Sequence, residues 1–100
     1  MKQLPLAIPS DHPAFAGHFP GRPIVPGVVL LDHAQHAIEA AEGVRMAGVA
    51  VAKFLSPVGP GEALSVAFER VEAGVRFQIA APDRQVANGR FMLAEGEGAA

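Results

Sequence analysis

Two ionisable residues of this chain sit where their neighbours give them chemistry to do. His18 stands between Gly17 and a Phe19-Pro20-Gly21 turn, and Asp32 follows four consecutive aliphatics, Val28-Val29-Leu30-Leu31. Imidazole titrates nearest to neutrality of all side chains, so it is suited to taking up a proton. A carboxyl among aliphatic residues is partly desolvated, which disfavours its charged form and suits it to giving a proton. Together they make a candidate acid–base site. From these residues alone a plainer reading stays open, with His18 a turn histidine and Asp32 an acid near a helix start, stabilised by the helix dipole.

The elements around them must hold the pair. Pro20, Pro23 and Pro26 each fix φ and deny helical geometry to the residue before them, so the stretch from Phe19 to Pro26 reads as stiff, extended and turn-like. After Pro26-Gly27 the next proline is Pro57. A helix can therefore begin at Gly27 or Val28 and run from about Val28 to Glu42, with Gly43 as its C-terminal stop. Its first backbone N–H groups lack partners and favour an oxygen carrying negative charge. Val28 to Leu31 are apolar on every side, and Ala34, Ala37, Ile38, Ala40 and Ala41 extend the apolar face, so the helix is expected to be buried and wrapped by a sheet.

The flanking sequence reads as strands. Leu4 to Ile8 is a short apolar run closed by Pro9, and Ser10-Asp11-His12-Pro13 is a turn that places His12 at an exposed position. Beyond Gly43 the segments are short, rich in Val and Phe, and punctuated by Gly and Pro. Met46 to Leu55 is a strand, and residues 56–62, with two prolines and two glycines, form a connection. Ala63 to Glu72 alternates Leu64, Val66 and Phe68 with polar or small residues. A tight turn at Ala73-Gly74 leads into Val75 to Ala81, which makes an antiparallel hairpin. A turn at Pro82-Asp83-Arg84 then leads into Gln85 to Leu93, where Asn88-Gly89 suggests a bulge. One helix plus a run of antiparallel strands defines an α+β chain, a curved sheet around a central helix, read as a single domain over residues 1–100.

Composition narrows the function. Half of the 100 residues are hydrophobic, and the mean hydropathy is +0.26, which is high for so short a monomer and predicts a partner surface, most simply a homodimer. The formal net charge of −2 and the absence of Trp and Tyr speak against nucleic acid. The absence of cysteine excludes a disulfide framework and a thiolate metal site. Neither a signal-like run at Met1 to Ile8 nor a segment of transmembrane length is visible, so a cytoplasmic protein is expected.

The stretch from Gly17 through the Pro20-Gly21 turn and Pro26-Gly27 to Asp32 resembles the signature of the hotdog-fold 3-hydroxyacyl-acyl-carrier-protein dehydratases of fatty acid synthesis. His12-Pro13-Ala14-Phe15 and the run from Lys53 to Gly61 are similar to that family too, so the resemblance covers most of the chain. It implies a hotdog fold, and a catalytic pair, His18 and Asp32, contributed by opposite subunits of a dimer. It also implies reversible loss of water from a 3-hydroxyacyl thioester, carried by an acyl carrier protein on a phosphopantetheine arm. His18 would be the base at C2, and Asp32 the acid at the hydroxyl. The Gly27 N–H, assisted by the Ile24 N–H, would serve the thioester oxygen as an enolate develops. That chemistry requires no metal or organic cofactor. Arg22, on the site loop, is the candidate for carrier docking. Lys53, Arg70, Arg76, Arg84 and Arg90 are further cations, of the kind that usually form a solvated surface.

The sequence departs from the family pattern in three places. It is shorter than typical members, Gln35 falls three residues beyond the acid with His36 at the fourth place, and His33 directly follows Asp32. His33 projects from a different helix face than Asp32, so Asp32, His33 and His36 do not make a metal site. Two rival functions share the fold: a hotdog thioesterase, and a non-catalytic acyl-binding subunit that pairs with a longer dehydratase.

Overall fold

The computed structural model describes residues 1–8, 25–59 and 61–95. Strand β1 (Lys2–Leu6) precedes helix α1 (Gly27–Glu42), and β2 (Met46–Phe54), β3 (Leu64–Val71), β4 (Gly74–Ala81) and β5 (Arg84–Leu93) follow. The five strands form one antiparallel sheet in the order β1-β3-β4-β5-β2. Helix α1 touches β1 and β2, the two edge strands, so the sheet curves around it.

Alternation builds the core. Val66 and Phe68 of β3, Val75, Phe77 and Ile79 of β4, and Phe91 of β5 point to the helix side and are fully buried. The Phe77 and Phe91 rings stack with centroids 4.5 Å apart, a favourable aromatic arrangement. From the helix come Leu30, Ala34 and Ile38, spaced by four residues and therefore on one stripe.

The helix is not buried on every side. Two residues from the core stripe, roughly 200° around an α-helix, Val28, Asp32 and His36 form an exposed stripe, and Val28 is 73% exposed. Four successive aliphatics wrap right around a helix. Leu30 faces in, Val29 and Leu31 flank it, and Val28 faces out. The helix start and end match the expected ones closely. Gly27 opens it, and Gly43 closes it in left-handed geometry at φ 66°, its N–H donating to the Glu39 carbonyl at 2.9 Å.

Other boundaries move. Strand β1 lies two residues earlier than Leu4 to Ile8. Its ladder runs from Lys2 opposite Phe68 to Leu6 opposite Leu64, and Pro5 is tolerated because β1 is an edge. The β3–β4 turn is Glu72-Ala73, with Ala73 at φ 57°, because Gly74 is already paired with Val71. The expected bulge at Asn88-Gly89 is absent: both residues are in register with β2 and with β4. Gly89 is there for closeness, since a Cβ on it would stand 2.1 Å from the Val51 carbonyl oxygen and 3.0 Å from the Phe77 ring. The irregularities fall instead between Met46 and Gly48 and between Val49 and Val51 in β2, and between Ile79 and Ala80 in β4.

Candidate active site

The start of α1 carries backbone N–H groups that have no carbonyl partner within the helix. Pro26 precedes the helix at φ −58° and ψ 144°, and makes no side-chain cap. Its carbonyl accepts from Val29 N–H at 3.0 Å and Leu30 N–H at 3.2 Å. The N–H groups of Gly27 and Val28 have, as at any helix start, no carbonyl one turn back within the helix. Gly27, expected as a donor for the thioester oxygen, lines an open cleft of ≈ 380 Å³ with Val25, Leu30 and the segment Phe54-Leu55-Ser56-Pro57-Val58. The walls are mostly apolar, which suits an acyl chain or its thioester.

Backbone bonds hold that segment. Leu55 N–H donates to the Val86 carbonyl at 2.8 Å, Ser56 N–H to the same oxygen at 3.3 Å, and Ser56 Oγ to the Gln85 carbonyl at 2.6 Å. Val25 N–H donates to the Val58 carbonyl at 2.8 Å, so the chain entering the helix is pinned to the segment across the cleft. The Phe54 ring lies directly over Gly27.

Asp32 lies elsewhere. Its side chain is 62% exposed, on the stripe facing away from the sheet, with its Oδ2 3.6 Å from Nδ1 of His36 one turn on. The aliphatic surroundings expected for it are therefore not supplied within one chain. Leu30 points into the core and the cleft, and Asp32 points out from the opposite side of the same helix. His18, Arg22 and Ile24 lie outside the described residues, as does His12.

The further cations do not form one patch. Arg76 pairs with Glu69 and stands opposite Arg90 across the β4–β5 ladder, while Lys53 stands opposite Asn88. Arg84 is engaged with Glu62 at 3.0 Å. Glu62 is held below the usual carboxylate range by the Gly59 N–H and then by Arg84, and Arg84 is raised by Glu62 and Asp83. Two features of the cleft escaped the sequence reading: Phe54, whose ring packs on Gly27, and Arg84, which bonds the Pro57 carbonyl. The one signal for the first was an aromatic three residues before Pro57 in a family-like run. For the second it was a carboxylate, Glu62, closing a Gly-Pro-Gly turn.

Sheet order and helix placement define the class, a hotdog fold. The family model described as ApeI-like, ApeI dehydratase, matches residues 2–90, and the chain belongs to that family. It is 37% identical over 78 residues to the 3-hydroxyacyl-[acyl-carrier-protein] dehydratase FabZ of Cronobacter sakazakii, covering 65% of this chain and 52% of that protein. Against FabZ of Mannheimia succiniciproducens it is 36% identical over 72 residues, covering 62% of this chain and 48% of the relative. The matched stretch thus spans about half the length of these curated relatives. Among solved structures, the dehydratase heterocomplex ApeI:P from Xenorhabdus doucetiae superimposes with a TM-score of 0.77 at 26% identity, covering 93% of this chain and 86% of that one. An uncharacterized protein from Erwinia carotovora gives a TM-score of 0.71 at 28% identity, with coverages of 92% and 81%. Among the described residues no helix is long and apolar enough to cross a membrane.

Proposed function

We propose that this chain catalyses the reversible dehydration of a 3-hydroxyacyl thioester, carried by an acyl carrier protein, to the trans-2-enoyl thioester. The observation that carries the reading is Gly27 at an uncapped helix start, lining an apolar cleft, in a chain of the ApeI-like dehydratase family. His18 takes the C2 proton as negative charge builds on the thioester oxygen, where the Gly27 N–H, with that of Ile24, stabilises it. The enolate then re-forms the carbonyl and expels the 3-hydroxyl, which leaves as water with the proton of Asp32. Return of the proton from His18 to Asp32 through solvent resets the pair.

The outward position of Asp32 supports a site completed by a second subunit. So do the exposed apolar residues Val28, Val49, Val51, Phe54 and Leu55, which lie on the helix start and on β2 and the residue after it. Strand β2 is an edge with unpaired backbone groups, and pairing it with its copy in a homodimer would cover those side chains. The Asp32 carboxyl would then become enclosed, as its role as an acid requires. Arg22 is the proposed contact for the acidic carrier, whose phosphopantetheine arm enters at the seam, in a cytoplasmic setting. The similar structure is of a heterocomplex, which favours, as a second reading, a partner subunit other than a copy of this chain.

The test is incubation of the purified protein with 3-hydroxyacyl thioesters of several lengths, on carrier protein and on coenzyme A, followed by mass spectrometry of the acyl group. Loss of one water is expected. Release of the free hydroxy acid would make it a thioesterase, and an unchanged thioester would make it a binding subunit.

A further inference from the structure

Arg84, the first residue of β5, reaches across to the segment that lines the cleft. Its Nη2 donates to the Pro57 carbonyl at 2.8 Å and to both carboxylate oxygens of Glu62 at 3.0 Å, while Nη1 bonds Asp83 Oδ1 at 2.9 Å. Glu62 Oε2 in turn accepts the Gly59 N–H at 2.7 Å. One guanidinium and one carboxylate therefore tie together Pro57, Gly59 and Glu62. Val58, enclosed by this arrangement, is 2% exposed, and its carbonyl accepts the N–H of Val25 at 2.8 Å, two residues before Gly27.

We infer that Arg84 and Glu62 are positioning residues for the helix-start donor: their pair fixes Pro57 and Gly59, Val58 between them fixes Val25, and Val25 sets the aim of the Gly27 N–H. The inference rests on reading Gly27 as the thioester-oxygen donor. A planar guanidinium can serve a carbonyl and a carboxylate at once in a fixed geometry, whereas an ammonium is a point charge on a flexible stem. Glu62, held in its charged form by the Gly59 N–H and Arg84, keeps the clamp closed at neutral pH. Such a chain of contacts matters because small misplacements of a donor are costly to catalysis, up to about a hundredfold for roughly 1 Å.

The experiment compares wild type with Arg84→Gln, Arg84→Lys and Glu62→Gln. Hydrogen exchange of the Val25 amide is read beside that of the Phe77 amide, which reports whether the sheet stays folded. Turnover is read on a 3-hydroxyacyl thioester. In Arg84→Gln, Val25 should exchange about tenfold faster or more with Phe77 unchanged, and kcat should fall about tenfold with KM within about threefold of wild type. Arg84→Lys should recover part of both. Unchanged Val25 exchange in Arg84→Gln overturns the clamp. Faster exchange with unchanged kcat overturns its link to the donor. If wild type fails to dehydrate any substrate, the reading of the activity falls, while Val25 exchange still decides the clamp.

Discussion

The ring of Phe54 rests on the Cα of Gly27 so closely that a methyl group there would stand 2.6 Å from ring Cζ and 2.8 Å from Cε1. The ring is half exposed, so it can swing aside at modest cost, but only by changing the cleft. Gly27→Ala should therefore separate stability from activity. Alanine gains up to about 1 kcal/mol of helix propensity, so the urea midpoint should stay near that of wild type. The value of kcat/KM should fall about tenfold or more as the ring or the donor shifts. Wild-type kcat/KM in this variant would show that the contact has no part in the site.

Gly89 offers the opposite case. A Cβ there would stand 2.1 Å from the Val51 carbonyl oxygen and 2.9 Å from the Ala52 Cα, both backbone atoms in the middle of a sheet. Gly89→Ala should cost about 3 kcal/mol or more in urea unfolding. Gly43→Ala, strained by its φ of +66° but with open space around it, should cost only about 1 kcal/mol. Equal costs would mean that closeness between strands is not why Gly89 is glycine.

The Glu62 contact sets a pH dependence of stability. The Gly59 N–H and then Arg84 depress its folded-state titration. Its contribution is therefore fully present above the ordinary glutamate value of about 4.3 and is lost as pH falls through the lower folded value. Glu62→Gln should be less stable than wild type at pH near 7, and the gap should be narrower at about pH 3. Urea midpoints at both values check this, and a gap that stays as wide or widens in acid contradicts it.

Assembly is tested at β2. Val51 is 54% exposed on the edge strand, and a charge there should oppose pairing between copies. Val51→Glu is expected to shift a dimer toward monomer in light scattering at micromolar concentration, with its circular dichroism preserved. Undisturbed association would place the contact elsewhere.

Much of this architecture was legible from alternation and punctuation. Leu64, Val66 and Phe68, and then Val75, Phe77 and Ile79, mark the two strands of a hairpin, and Gly43 marks the helix end. Strand β2 hides its inward face because two register shifts break its alternation. Gly89 looked like a bulge because sequence does not show how near the Val51 carbonyl lies. The outward turn of Val28 and Asp32 was readable in principle from the spacing of Leu30, Ala34 and Ile38, but a run of four aliphatics suggested burial all round. Arg84 looked like one scattered cation among several because its partner Glu62 is 22 residues away, a separation closed by the pairing of β3 with β4.

The central claim is that His18 of one subunit and Asp32 of the other form one dehydrating site. His18→Ala and Asp32→Ala should each lose about a hundredfold or more of turnover, the scale of a general acid or base. A mixed dimer of the two variants holds one intact site and one doubly damaged site. The decisive measurement is dehydration of a 3-hydroxyacyl thioester after subunit exchange between these inactive variants. Recovery to about a quarter of wild-type activity is expected for random exchange and independent sites, and no recovery despite demonstrated mixed dimers would contradict the shared site.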